Sequence, residues 1–62
     1  MASRNQVEVA QEIAQFVVEN GRVSGEGSER VESLRVEVEF EAGERGLDDC
    51  EEIAEVAVNL AS

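Results

Sequence analysis

The sequence predicts an α+β domain. Three observations carry that expectation. The two ends of the chain space their apolar residues as helices do, the stretch 34–41 alternates apolar and charged residues with the period of a strand, and Gly-rich segments separate the three.

The first helix is expected over 3–20. Ser3 with Gln6 forms a capping-box pattern, and Asn20-Gly21 supplies a stop signal. Placed at 100° steps, Glu8, Gln11, Glu12, Gln15 and Glu19 share one narrow arc. Val7, Ala10, Ile13, Ala14 and Val17 face the expected core, while Val9 and Phe16 lie on its flank. The apolar arc spans about 200°, wider than one buried face requires. A second contact is therefore expected through Val9 and Phe16.

Residues 21–30 read as a turn-rich connector, in which 22–24 form a very short strand. Over 34–41, Leu34, Val36, Val38 and Phe40 point one way and Arg35, Glu37, Glu39 and Glu41 the other. A strand needs a partner for its backbone groups, and 22–24 is too short to cover it. The expected solutions are an asymmetric hairpin or antiparallel pairing with the same strand of a second copy about a two-fold axis. Residues 42–46 read as a loop.

The second helix is expected over 47–61. Asp48 with Glu51 matches the capping pattern, and Asp48, Asp49 and Glu51 complement the positive helix N-terminus. Leu47, Cys50, Ile53, Ala57 and Leu60 belong to the apolar face, opposite Asp48, Asp49, Glu51, Glu52 and Glu55. Cys50, Ile53, Ala57 and Leu60, with Leu34, Val36, Val38 and Phe40, complete the expected core.

At 62 residues the chain is one small domain, of a size that gains from added buried area. One cysteine allows no internal disulfide, and with no histidine the chain cannot form a zinc site. A homodimer is therefore expected, associating through Val9, Phe16, Leu34, Val36 and Val38. No apolar run approaches the roughly 18 residues of a membrane span. Residues 1–5 lack the apolar stretch of a signal peptide, so a cytoplasmic protein is expected.

The absence of His, Lys and Tyr removes the commonest acids and bases. Neither a phosphate loop nor a catalytic triad is present. Cys50 reads as a core thiol, because the apolar face and the surrounding acids both disfavour a thiolate. Adjacent helical carboxylates diverge, and no calcium-loop pattern occurs. Neither a metal, a cofactor nor a catalytic residue is expected.

Charge is the feature left to interpret. Fifteen acids oppose five basic residues, all arginine, for a net charge of −10. Direct nucleic-acid binding and attraction to anionic lipid are excluded by that sign. On a strand, Glu37, Glu39 and Glu41 would repeat at about 6.7 Å, close to the spacing of nucleic-acid phosphates. Like-charge pairs one turn apart, Glu8–Glu12 and Glu51–Glu55, each cost a few tenths of a kcal/mol, about 0.2–0.5. The expectation is a non-catalytic protein-binding module, an inhibitor that mimics nucleic acid on the basic surface of a nucleic-acid-handling protein. Its contact residues would be Glu37, Glu39, Glu41, Asp48, Asp49, Glu51, Glu52 and Glu55. In acidity and size the chain resembles small phage-encoded inhibitors of nucleases and CRISPR complexes. That resemblance is of composition, and no residue roles transfer with it. The alternative is a designed or structural self-associating scaffold without biochemical activity.

Overall fold

The computed structural model describes residues 4–61 and places three α-helices along them: α1, Arg4–Glu19; α2, Ser28–Glu44; and α3, Cys50–Ala61. Each packs on the other two, the α2–α3 pairing being the most extensive. No strand occurs among the described residues, so the domain is a small all-α bundle and the α+β expectation is corrected. The whole of 34–41 is helical, and 22–24 is irregular connector rather than strand.

The correction has a physical reason. Leu34 and Val38 are two apolar positions of the alternating stretch, and Ala42 follows at the same spacing. Residues four apart on a helix drift by only about 40°, so these three make a continuous helical stripe. They are 7%, 0% and 0% exposed. The other two, Val36 and Phe40, fall on the far side and are 53% and 59% exposed rather than in the core. A strand here would have needed a partner to satisfy its backbone, whereas a helix satisfies it within itself.

Helix ends are set by two glycines. After α1, Arg22 N–H donates to Val17 O at 3.0 Å and Gly21 N–H to Val18 O at 3.1 Å, with Gly21 at φ +69°. After α2, Leu47 N–H donates to Ala42 O and Gly46 N–H to Gly43 O, both at 3.0 Å, with Gly46 at φ +77°. Both are Schellman terminations, which need a left-handed residue and so favour glycine. The connector is tied back to α2 by Ser24 N–H donating to Ser33 Oγ at 3.0 Å. Helix α3 starts later than the expected residue 47, and its first carbonyl bond is accepted by Asp49 from Ile53 N–H. The expected cap at Ser3 lies outside the described residues.

The core is Ala10, Ile13 and Val17 from α1, Leu34, Val38 and Ala42 from α2, and Ile53, Ala54, Ala57 and Val58 from α3. Burying a Val, Leu or Ile contributes about 1.5–3 kcal/mol each. Four of the ten are alanines, which lets the helix axes approach closely. Val7, Ala14 and Cys50, expected in the core, are half-buried, and Leu60 is 48% exposed. Among the described residues no polar or charged side chain is buried. No helix there is long and apolar enough to cross a membrane.

Candidate acidic interface

The α2 helix separates the eight acids expected to act together. Glu37 and Glu41 stand one turn apart on the flank facing the connector, where the Schellman turn at Gly21 delivers Arg22. Arg22 donates from Nε to Glu37 Oε1 at 2.9 Å and from Nη1 to Glu41 Oε1 at 2.8 Å. Arg45, one turn beyond Glu41, donates from Nε to Glu41 Oε2 at 3.1 Å. The Glu41 side chain is only 14% exposed. Hydrogen bonds from Arg22 and then Arg45 hold its carboxyl below the usual carboxylate range. The same contacts, Glu41 first and Glu37 second, raise the Arg22 pKa. The guanidinium carbons of Arg22 and Arg45 lie 5.7 Å and 5.2 Å from the ring centroids of Phe40 and Phe16, within cation–π range. Glu37 and Glu41 are thus neutralised within the fold, and the strand ladder of three evenly spaced carboxylates does not exist.

Glu39 takes the opposite flank of α2 and faces α3. There it lines one groove of about 290 Å³ with Glu51, Glu52 and Glu55. Among the described residues Arg35 is the single cation lining this groove, and its Nη1 reaches Glu55 Oε1 at 3.4 Å. Both side chains are substantially exposed, 38% and 66%, so this is a weak, screened pair. Gln6 of α1 donates from Nε2 to Asp49 Oδ2 at 2.7 Å and to Glu52 Oε2 at 2.9 Å. The Gln6 amide carries no charge, so these bonds bring no counter-ion to either side chain. They also turn Asp49 toward α1 and away from the groove, beside Val9 and Leu47. Asp48 is exposed on the turn before α3.

Four of the eight expected acids therefore converge: Glu39, Glu51, Glu52 and Glu55. Of the expected self-association residues, Leu34 and Val38 are consumed by the chain's own core, and Val9 is half-buried against it. Phe16 is 39% exposed, under Arg45, and Val36 remains exposed. The strand edge on which the expected homodimer relied is absent from the described residues. Sequence reasoning missed Arg22 and Arg45 as anchors; the i,i+4 spacing of Glu41 and Arg45 is that of a helical ion pair and carried a signal for Arg45 alone.

Cys50 is half-buried, and its Sγ–H donates to Leu47 O at 3.0 Å. Among the described residues no three carboxylate or thiol side chains are placed to share a metal ion. What the geometry offers is an exposed, negatively charged groove on a small helical scaffold. Comparison with family models, with curated proteins and with solved structures finds no match to this chain.

Proposed function

We propose that the chain is a non-catalytic protein-binding module that grips a basic protein surface with the α2–α3 groove. The observation that carries this reading is the convergence of Glu39, Glu51, Glu52 and Glu55, with Arg35 the one weakly engaged cation among the described residues that line their groove. Unbalanced charge of one sign attracts a partner of the other and speeds encounter. Basic surfaces that hold phosphate esters match this chemistry, so the partner class proposed is a nucleic-acid-handling protein, inhibited by occupation of its nucleic-acid groove. The setting proposed is the cytoplasm. The mimicry rests on charge alone, since the strand spacing that first suggested it is gone.

The test compares two triple variants of equal net charge. Glu39→Gln/Glu51→Gln/Glu55→Gln neutralises the groove, and Glu12→Gln/Glu26→Gln/Glu29→Gln removes three exposed acids elsewhere. Affinity for immobilised basic nucleic-acid-binding domains at low salt should fall about tenfold or more for the first and much less for the second. Excess duplex DNA should release the bound protein. Equal losses in the two variants would overturn the groove as the site, and indifference to DNA would overturn the mimicry.

A further inference from the structure

The charge reading gives no role to the groove that adjoins the acidic one. Val36 and Phe40 are the two most exposed large apolar side chains among the described residues. They stand one turn apart on α2, and Gly43 continues the same face. The start of α3 brings Cys50 beside them, and together these residues line an open groove of about 540 Å³ rimmed by Glu39 and Glu44. That volume lies within the roughly 300–1,000 Å³ of ligand clefts.

Gly43 is the informative residue. Its backbone is not left-handed, unlike that of the other four glycines. A Cβ there would meet only the Cys50 Sγ, at 3.9 Å, which is ordinary contact. Neither packing nor backbone conformation requires glycine, and inside a helix glycine is less stable than alanine. The missing side chain leaves the groove floor open between Phe40 and Cys50.

We propose that this groove receives an apolar anchor side chain carried on a basic amphipathic segment of the partner protein. The anchor packs on Val36 and Phe40 over Gly43. Flanking Lys or Arg side chains pair with Glu39 and Glu44, then continue into the acidic groove, which shares Glu39. The inference rests on the acidic face gripping a basic partner, and adds where that partner's apolar contact goes. Charge selects this occupant over a second copy of the chain. Two copies meeting here would press Glu39 and Glu44 against the same acids across the contact, each on a body of charge −10.

The experiment uses two synthetic peptides of identical Lys/Leu composition, one an amphipathic helix and one scrambled. Binding to the whole protein is read at low salt by fluorescence anisotropy. The amphipathic peptide should bind about tenfold or more tightly than the scrambled one. It should also slow maleimide labelling of Cys50, the chain's sole thiol. Gly43→Gln, a good helix former without charge, should fill the groove. It should bring the amphipathic peptide down to the scrambled level, with thermal stability kept or raised and scrambled binding unchanged. Equal affinities of the two peptides, or no effect of Gly43→Gln, would overturn the anchor while leaving the charge reading standing. If neither peptide binds, both fall. A wild-type dimer that Gly43→Gln converts to monomer, seen by sedimentation, would make a second copy the occupant and overturn the proposal.

Discussion

Glu41 accepts hydrogen bonds from two guanidiniums, Arg22 at 2.8 Å and Arg45 at 3.1 Å, and through them joins the connector after α1 to the end of α2. Its carboxyl is therefore more acidic in the folded chain than in the unfolded one. A depressed folded pKa stabilises the fold at pH values above the unfolded value, about 4.3 for glutamate, and that stability is lost as pH falls through the lower folded value. Glu41→Gln should accordingly lower Tm at pH 7. The gap between variant and wild type should close as both are acidified toward pH values where Glu41 is protonated. Thermal melts followed by circular dichroism across that range check this, and a pH-independent gap would show that the carboxylate's charge is not what Arg22 and Arg45 hold. Little of this pairing was legible in the sequence. Arg22 lies fifteen and nineteen residues from its partners, and only the fold decides that Glu37 and Glu41 meet it while Glu39, between them, meets α3. The acids of α3 were legible, because Glu51, Glu52 and Glu55 share a helical face whatever that helix packs against.

At the scale of elements, the two terminal helices could be read from apolar spacing and stop signals, with α1 ending within a residue of its expected limit and α3 ending at Ala61 as expected. The middle element could not. Leu34, Val36, Val38 and Phe40 satisfy a period of two, and half of them satisfy a helical stripe completed by Ala42, which a strand reading places in a loop. Val and Phe also favour strands on propensity, a preference that tertiary context overrides. The deciding fact was the missing partner strand. Substitution with lysine separates the two geometries. Val36→Lys puts an ammonium on an exposed face, with Glu32 and Glu39 at i−4 and i+3, and should change stability by no more than about 0.5 kcal/mol. Val38→Lys puts the same charge at a site with 0% exposure and should unfold a chain of this size, whose total stability is on the order of 3–9 kcal/mol. Circular dichroism and urea titration read both. A strand would have lost its fold in either variant, since 36 and 38 would share its buried face.

At the scale of the molecule, one charge distribution acts in two opposed directions. A net charge of −10 sits on a body of 29 × 23 × 16 Å. At about 0.01 M salt the screening length is about 30 Å, so every carboxylate feels every other across the whole bundle. At about 0.15 M it is about 8 Å, and repulsion is confined to neighbours. With no charged side chain buried among the described residues, all these interactions lie within reach of salt. The free protein should therefore gain thermal stability as salt rises over that range, because self-repulsion weakens. Its affinity for a basic partner should fall over the same range, because the attraction uses the same charges. A polycation added at low salt should raise Tm, and the rise should shrink as salt approaches about 0.15 M, where the attraction is partly screened. Differential scanning fluorimetry at several salt concentrations, with and without the amphipathic Lys/Leu peptide, measures both slopes in one series. If added salt lowered the Tm of the free chain, its ion pairs would outweigh its repulsion. The surplus of −10 would then be arranged so that its attractions dominate at short range, and the reading of an unopposed acidic face that draws a partner would lose its support.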